Sequence, residues 1–162
     1  MNKVMIIMGS DSDWKVMQKA VAVLKEFGVD FEVHVSSAHR TPEKTVALIE
    51  NFDGACFIAG AGAAAHLAGV VAAHTTKPVI AVPLDSGALH GLDALYATVQ
   101  MPSGVPVATM AIDGAKNAGL FAVQILALNN AGLAEKLAAY KRKMKDEVEA
   151  KDNKIQDLAS EV

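Results

Sequence analysis

Residues 36–42, which read Ser-Ser-Ala-His-Arg-Thr-Pro, combine side chains that can bind an anion and transfer a proton. The guanidinium of Arg40 suits a phosphate or a carboxylate. Histidine is the side chain most easily used as an acid or base near neutral pH, so His39 is a candidate for proton transfer. From this heptapeptide alone, a solvated Arg beside a helix cap explains the residues equally well.

This heptapeptide joins a predicted strand to a predicted helix. Residues 30–35 have the composition of a strand, and Thr41-Pro42-Glu43 is typical of a helix start, with Pro at the first position and an acid in the first turn. In an open parallel sheet the loops that follow the strands lie at one edge, where ligands bind. The position of residues 36–42 between this strand and this helix therefore favours a binding site over a solvated helix cap.

Strands and helices alternate along most of the chain. Strands are predicted at residues 4–8, 30–35, 55–59, 79–82 and 107–112, and helices follow them, ending near residues 28, 50, 74, 99 and 128. Such βα units imply a parallel sheet with right-handed crossovers. The predicted fold class is α/β, a flavodoxin-like three-layer α/β/α sandwich with a five-stranded parallel sheet, and residues 1–128 form the predicted catalytic domain.

Residues 129–162 are predicted to form an additional C-terminal helix. Leu133, Leu137, Tyr140, Met144 and Val148 recur at spacings of three or four, which gives one apolar stripe on a charged helix. Because the sheet already has helices for both faces, this extension is predicted to pack on a neighbouring subunit. The alternative is that it covers a sheet edge of its own subunit. The polar segment beyond residue 151 is expected to fray.

Composition excludes several functional classes. The chain has 162 residues, the size of one domain, and its 15 Lys and Arg against 18 Asp and Glu lack the basic footprint of a nucleic-acid-binding protein. No apolar run reaches membrane-spanning length, so the predicted location is cytoplasmic, without a membrane partner. Cys56 lies inside an apolar run, which indicates a buried strand residue and not a nucleophile.

Polar residues follow three other predicted strands as well. Hydroxyls, backbone amides and an Arg can bind a phosphate, and a carboxylate can accept hydrogen bonds from ribose hydroxyls. Because these loops share one edge of the sheet, they predict a site for a small sugar phosphate. The loops contribute Ser10, Asp11 and Asp13, then residues 60–66, then Asp85 and Ser86.

Other kinds of site have weaker support. Residues 60–65 match the dinucleotide pattern G-x-G-x-x-A, but they follow the third strand and His66 would crowd the helix opening. A receiver domain needs an Asp at the end of that strand, which here ends in Ala59-Gly60. The sequence has no P-loop and no nucleophile elbow. His66 and His74 are eight residues apart, so no metal site is predicted.

Several motifs, taken in order, are those of a known enzyme family. They are residues 8–14, 37–42, 59–62 with 65–67, 99–102 with 104–109, and 114–118. Together they resemble the N5-carboxyaminoimidazole ribonucleotide mutase family of bacterial purine synthesis, the class I PurE family. The resemblance runs from about residue 4 to residue 128.

The resemblance implies an isomerase that moves a carboxyl group from the exocyclic nitrogen of an imidazole ribonucleotide to ring carbon C4. The substrate would lose carbon dioxide, which the site traps and returns to C4, with His39 as general acid and base. The resemblance implies no metal and no organic cofactor. It also implies a homo-octamer whose sites are shared between neighbouring subunits. The resemblance implies Ser10, Asp13 and Arg40 as ligands of the ribose phosphate, and a carboxylate and carbon dioxide pocket lined by the loop of Ala61, Gly62, Ala63, His66 and Leu67. Asp11, Ser37 and Ala38 complete the predicted substrate-binding residues.

Two departures and two rival functions accompany the resemblance. The family usually has Gly at the position of Ala64 and Pro at that of Ala68; a methyl group at position 64 is tolerable if φ is negative there. A related carboxylase acts on aminoimidazole ribonucleotide and carbon dioxide directly, and it typically has Lys in place of Arg40. A non-catalytic nucleotide-binding domain could dispense with His39.

Overall fold

The computed structural model describes residues 3–162, and its centre is a parallel five-stranded sheet. The strands are β1 (Lys3–Met8), β2 (Asp30–Val35), β3 (Cys56–Gly62), β4 (Val79–Leu84) and β5 (Ala108–Thr109). Their order is β2-β1-β3-β4-β5, and every neighbouring pair is parallel. This order confirms the predicted flavodoxin-like α/β fold.

Six helices accompany the sheet in the described part of the chain. They are α1 (Trp14–Phe27), α2 (Pro42–Glu50), α3 (Leu67–Ala73), α4 (Leu92–Val99), α5 (Ala115–Ala127) and α6 (Ala131–Ser160). Gly28 ends α1 with a φ of 72°, a conformation that favours glycine, and Pro42 opens α2 as predicted. Between residues 3 and 162 no helix combines the length and the apolar character that a bilayer crossing requires.

The hydrophobic core lies on both faces of the sheet. On one face, Val4 and Ile6 of β1 pack with buried residues of α1 and α5. On the other face, Met5 and Ile7 pack with buried residues of α2 and α3. Because successive side chains of a strand point to opposite faces, a strand covered on both sides must be apolar throughout, as residues 4–8 are.

Strand β5 is shorter than predicted. The sequence predicts residues 107–112, but only Ala108 and Thr109 pair in register with β4. The next bonds to β4 are irregular, with the Met110 amide 2.9 Å from the Ala81 carbonyl oxygen and the Asp113 amide 2.9 Å from that of Pro83. Asp113 has a φ of 57°, so the extended conformation has ended before α5 begins.

The first part of α6 packs on its own chain. Leu133 is buried, and Leu137 and Tyr140 pack against the core cluster formed with α1 and α5. The rings of Phe27 and Tyr140 have centroids 5.7 Å apart, and the Lys136 ammonium donates to the Phe27 carbonyl oxygen over 2.9 Å. The first half of this stripe therefore packs on two helices of its own chain, where the sequence predicts a neighbouring subunit or, as the alternative, a sheet edge of the same subunit.

The second half of α6 has no such contacts with the core. Met144 is 41% exposed and Val148 is 63% exposed, and the helix continues to Ser160 where the sequence predicts fraying. An extended helix with an exposed apolar stripe is typical of a surface that binds another subunit. That packing remains a prediction.

Cys56 lies at the start of β3 with no exposed surface, as predicted. Burial raises the pKa of its thiol to about 12, so the reactive thiolate is scarce at neutral pH. We expect an aromatic disulfide reagent at pH 8 to modify the folded protein orders of magnitude more slowly than the chain unfolded in guanidinium chloride. The measurement is thiol release over time, and rapid modification of the folded protein would contradict the burial.

Candidate functional site

The loops after β1, β2, β3 and β4 surround a cleft of about 390 Å³ at the carboxyl edge of the sheet. This is the edge that the sequence predicts. The cleft contains His39 and nine of the other predicted site residues. The predicted residues that line it are Ser10, Asp13, Ser37, Ala38, His39, Arg40, Ala61, Gly62, Ala63 and Leu67.

The first wall of the cleft is the turn between β1 and α1. The Ser10 amide donates to the Asp13 carboxylate over 3.0 Å, while the Ser10 hydroxyl accepts from the Ser12 amide over 3.4 Å. These reciprocal bonds form a capping box around a short 3-10 turn, so Ser10 does serve as a cap. Both residues also line the cleft, so capping and ligand binding are compatible here.

Asp13 is held in an environment that disfavours its charge. Burial raises the pKa of this carboxyl above its usual range, while hydrogen bonds from the Ser10 and Gly9 amides partly oppose the shift. A raised pKa in the folded state means that ionised Asp13 lowers stability at neutral pH, and this cost disappears as pH falls through the folded pKa. A group kept at such a cost is typical of a functional site.

Asp13→Asn is therefore expected to leave the thermal midpoint of unfolding unchanged or to raise it, because the amide oxygen can still accept from the Ser10 amide. On the prediction that Asp13 accepts hydrogen bonds from ribose hydroxyls, substrate binding should weaken roughly 10-fold, because the variant loses a charged acceptor. Calorimetric unfolding and KM measure the two effects. Asp146→Asn, on the exposed face of α6, is the matched control. A lower midpoint together with a wild-type KM would show that Asp13 is only structural.

The second wall carries the guanidinium. Arg40 Nη2 donates to the carbonyl oxygen of Gly9 over 2.9 Å, and Arg40 Nε donates to the Ser37 hydroxyl over 3.3 Å. The backbone amide of Arg40 also donates to that hydroxyl, again over 3.3 Å. The side chain thus bridges the loops after β1 and β2, which holds a positive charge beside Ser10 and Asp13.

The third wall is a turn of small residues after β3. This strand runs to Gly62, three residues further than predicted, and Ala63 then adopts a φ of 49°. The Ala65 amide donates to the Ala63 carbonyl oxygen over 2.8 Å. Ala64 is not among the residues with positive φ, so the condition for a methyl group at that position is met. The wall is apolar and nearly free of side-chain bulk.

Two histidines meet between the second and third walls. His39 Nε2 lies 2.9 Å from His66 Nδ1, and the rings are edge to face with centroids 5.1 Å apart. One ring must donate and the other accept, so each neutral imidazole restricts the tautomer of its partner. The sequence predicts His66 as a residue of the pocket wall; in the structure it contacts His39 and is not itself among the lining residues.

Two predicted site residues, Asp11 and His66, are not among those that line the cleft, and other residues are. Asp11 lines a neighbouring depression that shares Ser10, Ser37 and Arg40 with the cleft. A Cβ atom at Gly62 would overlap the Ser86 hydroxyl, so only glycine permits the approach of the β4 loop. The sequence signal that points to Ser86 is the position of this residue directly after a predicted strand. Gly9 and Ser12 line the cleft without having been predicted as site residues, whereas the sequence places Ala64 and Ser86 at this edge but assigns them no individual role.

No group of three or more His, Cys, Asp or Glu side chains within residues 3–162 is arranged to hold a metal ion. The chemical groups that the cleft presents are the His39 imidazole, which contacts His66, a guanidinium, a partly buried carboxyl and hydroxyls. This set can bind a phosphorylated sugar and move a proton.

Known proteins are similar to this chain in both sequence and fold. A 57% identical protein of Methanocaldococcus jannaschii, N5-carboxyaminoimidazole ribonucleotide mutase, matches over 94% of this chain and 97% of its own length. The mutase of the same name from Mycobacterium tuberculosis is 51% identical, with 99% and 94% covered. The crystal structure of Treponema denticola PurE has a TM-score of 0.86 at 31% identity and covers 94% of this chain and 97% of that one.

A family model described as AIR carboxylase matches residues 3–147, nearly the whole chain. The match spans all four loops that form the cleft and the first half of α6. Together with relatives of this identity and coverage, it shows that the chain belongs to the AIR carboxylase family.

Proposed function

We propose that this protein is a mutase that converts N5-carboxyaminoimidazole ribonucleotide to 4-carboxy-5-aminoimidazole ribonucleotide in de novo purine biosynthesis, on the way to IMP. The observation that carries the proposal is that His39, bonded to His66, shares one cleft with Ser10, Asp13 and Arg40. Relatives at 57% and 51% identity carry the name of this activity.

In the proposed complex, the ribose phosphate binds between the first and second walls. The Arg40 guanidinium and the Ser10 hydroxyl bind the phosphate, and the Asp13 carboxylate accepts hydrogen bonds from the ribose hydroxyls. Ser37 and Ala38 support this end of the ligand, and Asp11 acts from the neighbouring depression. This assignment of ligands is supported by the chemistry of the groups, because a guanidinium and a hydroxyl suit a phosphate and a carboxylate suits ribose hydroxyls.

The imidazole base then lies against the third wall, beside His39. The bond between the exocyclic nitrogen and the carboxyl carbon breaks, His39 supplies a proton to that nitrogen, and carbon dioxide is released in the site. Ring carbon C4 attacks the carbon dioxide, and His39 then takes the C4 proton, which restores aromaticity. A neutral gas needs only an apolar enclosure, and Ala61, Gly62 and Ala63 supply one.

Direct carboxylation of aminoimidazole ribonucleotide is the second candidate, because the family model itself is described as AIR carboxylase. The deciding experiment compares the N5-carboxylated ribonucleotide in bicarbonate-free buffer with aminoimidazole ribonucleotide plus bicarbonate. The mutase predicts product from the first and little from the second. The reverse preference would establish the carboxylase, and no product from either would favour a non-catalytic nucleotide-binding domain.

We further propose a homo-octamer that acts in the cytoplasm without metal, organic cofactor, nucleic acid or membrane. The second half of α6 would pack on a neighbouring subunit, which accounts for the exposed Met144, Val148, Ile155 and Leu158. Light scattering coupled to gel filtration should give eight times the mass of the 16.9 kDa chain. A monomer mass would contradict the octamer.

A further inference from the structure

A cluster of hydroxyl groups lies directly behind the loop that carries His39. Within residues 3–162, the polar residues that are buried as a whole are Ser36, Thr45 and Thr98, and two of these belong to the cluster. The Ser36 hydroxyl lies 2.8 Å from the Thr45 hydroxyl and 3.2 Å from that of Thr41. The Ser36 amide donates to the Met8 carbonyl oxygen over 2.9 Å, which ties the cluster to the end of β1.

Thr41 closes the turn that contains His39. Its hydroxyl accepts from the Ser37 amide over 3.0 Å and donates to the Ser37 carbonyl oxygen over 3.1 Å. The Thr41 amide donates to the same carbonyl oxygen over 2.9 Å. The two ends of the turn are therefore joined through one side chain as well as through the backbone.

The protons of the cluster can all be assigned. Each hydroxyl has one proton to donate. Thr41 donates to the Ser37 carbonyl oxygen, Thr45 donates to the Thr41 carbonyl oxygen over 3.1 Å, and Ser36 donates to the Thr45 hydroxyl. Burying a hydroxyl costs free energy unless it is bonded in this way, so the cluster is stable only when it is complete.

Helix capping does not explain these hydroxyls. Thr41 occupies the N-cap position of α2, where a Thr side chain commonly accepts from the first helical amides. Here it makes no such bond to the helix, and its hydroxyl is directed back to Ser37. Thr45 lies inside α2 with no exposed surface, a place where an apolar side chain would pack without a polar atom to satisfy.

We propose that Thr41 and Thr45 are positioning residues that hold the loop of residues 37–40 in its reactive geometry. The inference rests on the proposed function, since the loop carries the imidazole and the guanidinium of that mechanism. The bonds continue from Ser37 to Arg40, and from Arg40 to the Gly9 carbonyl oxygen. A shift of about 1 Å in a reacting group can cost about 100-fold in rate.

The test compares Thr41→Val, which removes the hydroxyl, with Thr41→Ser, which keeps it. The backbone at Thr41, with a φ of −138°, accepts a β-branched residue, so the Val variant should fold. We expect Thr41→Val to lower kcat by roughly 10- to 100-fold with a smaller change in KM, and Thr41→Ser to stay within about 3-fold of wild type. Thr45→Val, which is isosteric, should lower kcat in the same direction.

A second measurement does not depend on turnover. Because the Ser37 amide donates to the Thr41 hydroxyl, hydrogen exchange at Ser37 should be faster in Thr41→Val and unchanged in Thr41→Ser. Thr109→Val is the matched control, because the Thr109 hydroxyl in β5 is buried without a partner. It makes the same chemical change elsewhere, and turnover should not change.

Each outcome decides the proposal. Wild-type kcat in Thr41→Val, or an equal loss in Thr41→Ser, would overturn it. If the wild-type protein converts neither ribonucleotide, the proposed function fails. Hydrogen exchange at Ser37 then decides by itself whether Thr41 holds the loop of residues 37–40. Unchanged exchange at Ser37 in Thr41→Val would overturn this positioning role of Thr41, and faster exchange would support it.

Discussion

His39→Asn is expected to lower kcat by about 10²- to 10⁴-fold, the usual contribution of a positioned acid and base. Asn is close to His in size and can still donate a hydrogen bond toward His66, which lies 2.9 Å from the imidazole in the wild-type protein. It cannot take the C4 proton or protonate the exocyclic nitrogen. KM should stay near the wild-type value, because the groups assigned to the ribose phosphate are untouched.

Steady-state kinetics with the N5-carboxylated ribonucleotide measures this effect, and calorimetric binding of the product separates affinity from turnover. The matched control is His74→Asn, since His74 is an exposed residue at the end of α3. The control should retain wild-type kinetics. Near-normal turnover in His39→Asn would remove His39 from the chemistry, and His66 would then be the first residue to test.

Arg40→Ala is expected to raise KM most, by roughly 10- to 100-fold, which corresponds to the loss of a charge-assisted hydrogen bond to phosphate. The variant also loses the bonds from the guanidinium to the Gly9 carbonyl oxygen and to the Ser37 hydroxyl. Part of the effect will therefore be lost positioning of the loop, which would appear as a smaller decrease in kcat.

Arg40→Lys separates charge from geometry, because Lys keeps the charge but cannot make the planar, two-point contact of a guanidinium. Its KM should lie between those of the wild type and Arg40→Ala. Arg142→Ala, on the exposed face of α6, is the control for the loss of one positive charge. An unchanged KM in Arg40→Ala would place the phosphate elsewhere, with Lys44 at the neighbouring depression as the next candidate.

The sequence by itself determined the fold and the edge of the sheet where the cleft lies. Alternating apolar strands and amphipathic helices allow few topologies, and the stop at Gly28 and the start at Pro42 are local backbone effects. Because parallel strands end at the same edge, the residues that follow them were predicted to converge, as Ser10, His39 and Ala61 do.

Only the tertiary structure decided which of these residues touch. His39 and His66 are 27 positions apart and Arg40 and Gly9 are 31 apart, so their contacts depend on loop conformations that no local pattern encodes. The same holds for Ser86 against Gly62 and for the first half of α6 on α1 and α5. Local propensity acts within a few residues, whereas these contacts depend on where the packed elements place each loop, and packing is a property of the whole chain.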